Sequence, residues 1–294
     1  MVPSHKKSWH DFRDLSVQIL FSVFGRVDSP RLGASGKSTK QEGASNKRLD
    51  GTANDARLIR LDVRPRNVPI LTADSNAPNY GAILWDNDGV LVDTERWYFQ
   101  ATQEVFAEMG VELTVELYFE CFLSRSNGTT KLASARGFSE ANIAAMRAAR
   151  NERYIRMLEQ EVITIVGVRE ALAALRPHFV MGIVTSSRRE HFEAIHRRTE
   201  LLEFFDFAVT REDYAQSKPA PDPYLAGVAR SGLSAGRCLA IEDAPRGLLA
   251  AQAAKLDCWV IPSNLTRKAP FSDATKVLER IADVSSLLLN AKSA

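Results

Sequence analysis

The chain has 294 residues, of which 45% are apolar and 25% charged, with 16 glycines, 12 prolines and three cysteines. This composition is that of an ordinary globular protein, and it excludes a fibrous, collagen-like or wholly disordered chain. The net charge of +2 argues against a strong preference for nucleic acid or for membranes. The charge is unevenly divided, because residues 1–78 contain 13 basic and 8 acidic side chains and residues 79–294 contain 25 and 28. We therefore expect a basic extension attached to a mildly acidic body.

Residues 1–78 form the predicted extension. Apolar residues recur at helical spacing between Trp9 and Phe24, which predicts one short amphipathic helix. The rest is rich in glycine, serine and charge, a composition typical of a flexible segment. Gly33–Thr39 is similar to a phosphate-binding P-loop, but Arg31 stands where that motif requires glycine, and no apolar strand leads into it. We interpret this segment as a linker.

The three cysteines, Cys121, Cys238 and Cys258, show neither a disulfide pattern nor a zinc-binding spacing. We expect each of them to be a small buried apolar residue. The lack of a disulfide pattern favours a reducing compartment. No apolar run reaches the roughly 18 residues needed to span a bilayer. These observations predict a cytoplasmic protein that binds neither membranes nor nucleic acid, and we expect a monomer.

After Tyr80, short apolar runs alternate with helical patterns. The runs that predict buried strands are Ala82–Trp85, Phe179–Val184, Phe207–Val209, Cys238–Ile241 and Cys258–Ile261. The helical patterns between them are Val168–Leu175, Arg189–Glu200, Pro223–Ser231 and Pro245–Lys255. Continuous apolar strands that alternate with helices indicate a parallel sheet covered on both faces. We therefore predict an α/β fold with a doubly wound, Rossmann-like parallel sheet.

A stretch with only helical patterns separates the first strand from the others. Its predicted helices are Glu95–Met109, Val115–Leu123, Thr129–Arg136 and Glu140–Gln160, the last capped by Ser139. We predict that residues 94–164 form an all-helical cap inserted into an α/β core made of residues 79–93 and 165–294. Inserted at this point, the cap would stand over the ends of the strands like a lid.

Two acidic pairs follow predicted strands. Asp86 and Asp88 are two residues apart at a strand end, so their side chains point to the same side, and Gly89 allows a sharp turn directly after them. Carboxylates placed so closely repel each other unless a cation or a shared proton relieves them. A hard cation such as Mg²⁺ prefers oxygen ligands of this kind. Glu242 and Asp243 follow another strand and could complete such a site.

Further polar residues lie where open α/β sheets bind ligands, just beyond the strand ends. Thr185 and Ser186 end one apolar strand and offer hydroxyl and amide groups to phosphate oxygens. Lys218 lies in a loop stiffened by Pro219 and Pro221, and beside the carboxylates it could neutralise a transferred phosphate.

In this order, these segments resemble the motifs of the haloacid dehalogenase superfamily. Asp86–Glu95 matches the first motif, Thr185-Ser186 the second, Lys218-Pro219 the third and Glu242-Asp243 the fourth. Ile241–Gly247 and the position of the helical insertion are similar to the subgroup of phosphatases and β-phosphoglucomutases. The resemblance extends from Tyr80 to about Leu289 and does not include residues 1–78.

The resemblance implies an aspartate nucleophile and an aspartate acid–base. Asp86 would attack phosphorus to form an aspartyl-phosphate, and this acyl phosphate is labile enough for water to hydrolyse it. Asp88 would protonate the leaving alkoxide and then activate that water. This acid–base residue favours a phosphate ester over a halide as the substrate, because an alkoxide needs a proton to leave.

The resemblance also implies ligands for metal and phosphate. Mg²⁺ would be held by Asp86, the backbone carbonyl of Asp88 and Asp243, with Glu242 acting through water. The phosphoryl oxygens would be bound by Thr185, Ser186 and Lys218.

The sequence leaves the substrate and the exact reaction open. In the cap, Ser124-Arg125 resembles the substrate loop of β-phosphoglucomutase, so Arg125 and the nearby Asn127 are candidate substrate residues. Against a mutase, Tyr98 stands where that enzyme has a histidine linked to its acid–base aspartate. We predict a Mg²⁺-dependent phosphatase of a small phosphorylated metabolite, with a sugar phosphomutase and a non-catalytic binding protein of the same fold as alternatives.

Three further polar residues receive only minor roles from the sequence. His191 and His196 are five residues apart, which does not match the spacing of a zinc-binding helix, and we interpret them as surface or helix-capping residues. Asn87 stands where the family commonly has an apolar residue, and its side chain is expected to point away from the site.

Overall fold

A computed structural model describes residues 80–125, 128–160 and 163–293. The predictions made for residues 1–78, including the helix between Trp9 and Phe24 and the linker at Gly33–Thr39, lie outside these residues. The candidate substrate residue Asn127 also lies outside them.

A parallel sheet of six strands forms the centre of the described structure, in the order β3-β2-β1-β4-β5-β6. The strands are β1 (Ala82–Trp85), β2 (Val180–Val184), β3 (Phe207–Val209), β4 (Cys238–Glu242), β5 (Asp257–Val260) and β6 (Lys276–Val277). Leu84 of β1 aligns with Gly182 of β2 on one side and with Ala240 of β4 on the other. The first strand therefore occupies the middle of the sheet, and every side chain in it is buried.

Helices follow the strands along the chain. In the described residues the α-helices are α1 (Glu95–Glu108), α2 (Val115–Tyr118), α3 (Gly128–Ser134), α4 (Glu140–Leu158), α5 (Val168–Leu175), α6 (Arg189–His196), α7 (Asp222–Ser231), α8 (Pro245–Ala253) and α9 (Ala282–Ser293). Ser139 caps α4 as predicted, since its hydroxyl accepts a hydrogen bond from the backbone N–H of Asn142. Gly167, with φ of +85°, precedes α5 where the chain returns from the helical insertion to the sheet.

The sheet is covered on both faces, as the alternation of strands and helices predicts. Ile83 and Trp85 of β1 pack into a cluster that contains buried residues of α5, α6 and α9. Ala82 and Leu84 belong to the cluster on the opposite face, with residues of α7 and α8. Because alternate side chains of a strand point to opposite faces, one short apolar strand supplies both cores. This arrangement is the doubly wound α/β fold.

Helices α1 to α4 lie between β1 and β2 in the chain and have an apolar cluster of their own. Its largest members include Phe106, Tyr118, Phe122 and Met146. The ring of Tyr154, in α4, meets His191 of α6 edge-on with 5.1 Å between the ring centroids. The helical insertion expected after the first strand is therefore present, and it rests on a helix of the α/β core.

Several element boundaries differ from the prediction. The structure ends α6 at His196 instead of Glu200, and Glu200 adopts a left-handed conformation with φ of +53°. Phe119–Leu123 forms a π-helical turn instead of continuing α2. The sequence patterns predict neither β6 nor α9, because β6 has only two exposed residues and α9 follows the last apolar strand.

The interpretation of the two histidines as surface or capping residues is wrong. His191 is 3% exposed and His196 is 4% exposed, since both lie on the side of α6 that packs inward. The cysteines, in contrast, agree with the prediction: Cys121, Cys238 and Cys258 are free and buried. Within the part of the chain that the structure describes, no helix is both long and apolar enough to cross a membrane.

Candidate active site

The first acidic pair extends directly from the central strand. The backbone N–H of Asp86 still donates to the carbonyl of Ile241, at 2.9 Å, so the sheet hydrogen bonds hold this residue in place. The chain then turns, and the carbonyl of Asn87 accepts from the N–H of Leu91 at 2.9 Å. Asp86 is 9% exposed. The nucleophile candidate is therefore held at the end of a fully buried strand.

Lys218 is buried among three oxygen acceptors. Its Nζ donates to Asp86 Oδ1 at 2.8 Å, to Glu242 Oε1 at 2.7 Å and to the carbonyl of Val184 at 2.9 Å. These acceptors use all three N–H groups of the ammonium, so its position is fully determined. The peptide bond between Lys218 and Pro219 is cis. The loop that carries the predicted third motif thus brings a positive charge against the first and fourth motifs.

Asp86, Glu242 and Asp243 form a buried acidic cluster, in which one carboxylate oxygen from each lies within 4.8 Å of the others. A second donor, the hydroxyl of Tyr224, also holds Glu242 Oε1, at 2.6 Å. Gly89 lies against the cluster, because a Cβ atom at this position would overlap the carboxylate of Asp243. The three carboxylates therefore form a compact set of possible metal ligands, and a side chain at position 89 would collide with one of them.

The charges in the cluster do not balance. Burial raises the pKa of Asp86 to about 7, the nearby Glu242 adds to this rise, and Lys218 opposes it. Burial, together with Asp86 and Glu242, raises the pKa of Asp243 well above its ordinary value. Burial acts to lower the pKa of Lys218, but the charges of Asp86 and Glu242 outweigh it and raise the pKa, so the ammonium stays charged. When all three carboxylates are ionised, the single ammonium leaves two of their negative charges uncompensated, and a divalent cation would neutralise them.

Asp88, the second residue of the pair, is surrounded by donors. The hydroxyl of Thr94 donates to its Oδ1 atom. The hydroxyl of Ser187 donates to Oδ2 at 2.8 Å, and the hydroxyl of Thr185 and the amide of Asn87 approach the same oxygen at 3.3 Å each. The structure thus separates the environments of the two aspartates, with an ammonium on Asp86 and neutral donors on Asp88.

The predicted phosphate-binding residues occupy the end of β2. Thr185 is buried, and its hydroxyl accepts from the backbone N–H of Ser187 at 2.9 Å. Ser186 lies between them and is partly buried. The sequence singles out Thr185 and Ser186, but it misses Ser187 and Thr94, which contact Asp88. A run of adjacent hydroxyl residues does not reveal which of them faces the neighbouring strand.

The candidate substrate residue of the helical insertion is half-exposed. Arg125 pairs with Glu120 at 3.3 Å, and both side chains are close to 50% exposed. The structure therefore places Arg125 on the surface of the insertion in an exposed ion pair.

A partly buried polar group that the sequence patterns do not indicate connects the insertion with the core. Burial raises the pKa of Glu95, and the charge of Arg246 opposes this rise. The hydroxyl of Tyr118 donates to Glu95. Glu95 begins α1, Tyr118 ends α2 and Arg246 lies in α8, so one interacting group contains residues of both parts. Glu95 stands at the end of the first motif, which is the signal that could have pointed to it.

Comparison with known proteins identifies the family. A sequence model of the haloacid dehalogenase-like hydrolases matches residues 83–261, which include every motif residue from Asp86 to Asp243. The chain belongs to the haloacid dehalogenase-like hydrolase family. The superfamily resemblance inferred from the motifs is therefore confirmed.

Two relatives of this haloacid dehalogenase-like hydrolase cover most of their own length. Protein CbbY of Rhodobacter capsulatus is 31% identical over 221 residues, which cover 71% of this chain and 96% of CbbY. Hexitol phosphatase B of Escherichia coli is 28% identical over 195 residues, which cover 64% of this chain and 86% of that enzyme.

A solved structure of a relative is also similar to this protein. CbbY from Rhodobacter sphaeroides, in a variant solved in complex with xylulose 1,5-bisphosphate, matches with a TM-score of 0.62 at 27% identity. The match covers 69% of this chain and 96% of that protein. These relatives place this haloacid dehalogenase-like hydrolase in the phosphatase-like subgroup of the family, and it is an enzyme of that type.

Proposed function

We propose that this hydrolase is a Mg²⁺-dependent phosphatase of a small phosphorylated sugar and that it acts through an aspartyl-phosphate at Asp86. The observation that carries the proposal is the buried contact of Asp86 with Lys218 beside Asp243, with Asp88 at the same strand end in an environment of neutral donors. A nucleophile, an acid–base and a positive charge for the transferred group are then present together.

The reaction has two steps that balance without any other reactant. An oxygen of Asp86 attacks phosphorus while the bond from phosphorus to the ester oxygen breaks, and the ester oxygen takes the proton of Asp88. Asp88 then takes a proton from water as that water attacks the same phosphorus, and inorganic phosphate leaves with Asp86 restored. Lys218 and the groups at Thr185 and Ser186 stabilise the charge of the phosphoryl oxygens in both steps.

The acidic cluster fits Mg²⁺. Asp86 and Asp243 would hold the ion with the backbone carbonyl of Asp88, and Glu242 would act through water, because Lys218 and Tyr224 already occupy its Oε1 atom. The ion would supply positive charge that brings the phosphate ester and the nucleophile together. The negative charge of the cluster and the close grouping of its three carboxylates support this assignment.

The relatives and the helical insertion indicate the substrate class. The CbbY structure holds a sugar bisphosphate, and hexitol phosphatase B is named for a sugar alcohol phosphate. We therefore assign a phosphorylated sugar as the substrate, with residues 94–164 as a cap that closes over it. A cytoplasmic monomer remains our prediction for the state of this enzyme.

The test is phosphate release from a panel of sugar phosphates that includes xylulose 1,5-bisphosphate, hexitol phosphates and hexose 1-phosphates. We expect turnover with Mg²⁺, loss of turnover with EDTA and recovery when Mg²⁺ is added back. No turnover across the panel would refute the phosphatase assignment. Isomerisation of a hexose 1-phosphate that requires a bisphosphate primer would establish the mutase instead.

A further inference from the structure

A chain of buried polar residues lies behind the two aspartates, in a position that the proposed reaction does not use. Asn87 is fully buried between Asp86 and Asp88. Its Oδ1 atom is 2.9 Å from Nε2 of His196, whose Nδ1 atom is 2.8 Å from the hydroxyl of Thr199. His196 and Thr199 are 4% and 6% exposed. This series of hydrogen bonds therefore runs from the end of α6, through the core, to the turn that carries the acidic pair.

The direction of each hydrogen bond in this chain follows from its end at Asp88. The amide nitrogen of Asn87 donates to Asp88 Oδ2, at 3.3 Å. The amide oxygen of Asn87 then faces His196, which must carry its proton on Nε2. Nδ1 of His196 accepts from the hydroxyl of Thr199, and that hydroxyl oxygen in turn accepts from the N–H of Leu201 at 3.4 Å. One neutral tautomer of His196 satisfies the whole chain.

The backbone of Asn87 is held as firmly as its side chain. Its carbonyl accepts from the N–H groups of Leu91 and Val92, at 2.9 and 3.1 Å. With the side chain tied to α6 and the carbonyl tied to the turn, the peptide units on both sides of Asn87 have little freedom. These peptide units set the position of Asp88 relative to Asp86.

An apolar side chain would fill this buried position without any hydrogen bond. A buried amide costs free energy unless it is paired, and here the pairing requires a buried histidine and a buried threonine as well. The last donor of the chain points at Asp88 and not at a structural acceptor elsewhere. The arrangement therefore serves the orientation of that carboxylate.

We propose that Asn87 is a positioning residue for Asp88 and that His196 fixes its amide in the orientation that donates to the carboxylate. The inference rests on the proposed function, because it requires Asp88 to protonate the leaving group. It predicts that loss of Asn87 impairs the proton transfer to the ester oxygen and leaves the attack by Asp86 largely intact.

Two aryl phosphates of nearly equal size separate these steps. Nitrophenolate leaves from p-nitrophenyl phosphate without a proton, whereas phenolate leaves from phenyl phosphate much more readily when an acid protonates it. The measurement is kcat/KM for both esters with saturating Mg²⁺, since this constant reports the steps up to departure of the leaving group. Asn87→Leu, which keeps the approximate volume, should lose about tenfold more kcat/KM on phenyl phosphate than on p-nitrophenyl phosphate.

Variants of the histidine guard against a general loss of structure. His196→Phe should show the same selective loss as Asn87→Leu, because the amide of Asn87 is then free to turn. His196→Gln, which keeps a donor for the Asn87 oxygen, should restore the ratio of the two substrates to within about twofold of the wild type. Thermal melts of all variants show whether each one is folded.

The outcomes distinguish this inference from the proposed function. If Asp88→Asn shows the selective loss and the folded Asn87 and His196 variants do not, the inference is wrong and the proposed mechanism stands. An equal loss on both esters in Asn87→Leu, with no recovery in His196→Gln, would also overturn it in favour of a structural role. If Asp88→Asn itself shows no selective loss, the acid–base assignment of Asp88 is wrong, and the role proposed for Asn87 is wrong with it.

Discussion

At the scale of single residues, the acidic cluster depends on close approaches that glycine permits. Gly89 has φ of +89°, a conformation that other residues rarely adopt, and a Cβ atom there would overlap the carboxylate of Asp243. Gly247 lies against Glu242 in the same manner. The small size of both residues therefore admits two carboxylates to positions beside Asp86.

We predict that Gly89→Ala lowers kcat/KM by about 100-fold and raises the Mg²⁺ concentration needed for half-maximal activity, because it displaces Asp243. Gly110→Ala is the matched control. Gly110 also has a positive φ, of +70°, but a Cβ atom there would meet nothing within 4 Å. Both variants should lose about 1 kcal/mol of unfolding free energy to backbone strain, measured by urea titration, and Gly110→Ala should keep its activity.

Equal activity in the two variants would contradict this account of Gly89. A loss of activity that Mg²⁺ does not partly restore in Gly89→Ala would place the damage outside the acidic cluster.

Most charged residues of the site, together with Thr185 and Ser186, could be predicted from the sequence, while two neutral residues that contact Asp88 could not. Asp86, Asp243 and Lys218 stand at strand ends or in a proline-rich loop, and the parallel sheet brings such points together at one edge. Ser187 and Thr94 contact Asp88 only because of how the turns after β2 and β1 are oriented. No periodicity in the sequence encodes that orientation, so these contacts required the structure.

At the scale of elements, α6 contacts both the helical insertion and the turn after β1, each through a buried histidine. It buries His191 against Tyr154 of the helical insertion and His196 against Asn87 of the turn after β1. Burial lowers the pKa of each histidine to about 4. An ordinary histidine has a pKa of about 6.5, so the unfolded chain binds these two protons at a pH where the folded chain does not.

This difference predicts how stability depends on pH. The unfolded state binds more protons between about pH 6.5 and pH 4, so the free energy of unfolding falls as the pH is lowered through this range. A shift from 6.5 to about 4 corresponds to roughly 3 kcal/mol for each histidine when the whole range is crossed. When the pH is lowered from 7 to 5, the free energy of unfolding of His191→Phe should therefore fall by about 2 kcal/mol less than that of the wild type, measured by urea unfolding.

Ile195→Val serves as the control for this prediction, since it removes buried apolar volume from the same helix without removing a titrating group. It should lower the unfolding free energy by about 1 kcal/mol at both pH values. If His191→Phe and Ile195→Val depend on pH in the same way, His191 is not the source of the acid sensitivity.

The strands and most helices could be predicted because their apolar patterns are continuous. The five predicted strands are present, and α5 has the predicted bounds. The predicted end of α6 is too late, because Glu200 adopts a left-handed conformation and a separate short helix begins at the buried Leu201. The burial of His196 was missed for a related reason: its partner, Asn87, lies 109 residues away in the sequence.

At the scale of the whole molecule, the net charge of +2 is the sum of a basic excess in one region and an acidic excess in another. The basic excess lies in residues 1–78, and the family match begins only at residue 83. All residues proposed for the reaction lie between Asp86 and Asp243. The region that carries the chemistry is therefore the acidic one.

We predict that removal of residues 1–78 leaves kcat/KM within about twofold of the value for the 294-residue chain, because the family model matches residues 83–261 and every residue proposed for the reaction lies in that range. The comparison is made on the substrate that the sugar phosphate panel identifies, with circular dichroism to show that the shortened chain is folded. A large loss of activity in a folded shortened chain would make the extension part of the enzyme.

The central claim is that Asp86 carries the phosphoryl group between the two steps. Its most direct test is to quench the working enzyme in acid and treat it with borohydride, which reduces an acyl phosphate to an alcohol and so converts the aspartyl-phosphate to homoserine. Mass spectrometry of the peptides should find homoserine at position 86 in the wild type and none in Asp86→Asn, while Asp93→Asn, at an exposed position, should behave as the wild type. Homoserine at a different aspartate, or undiminished turnover in Asp86→Asn, would contradict the account.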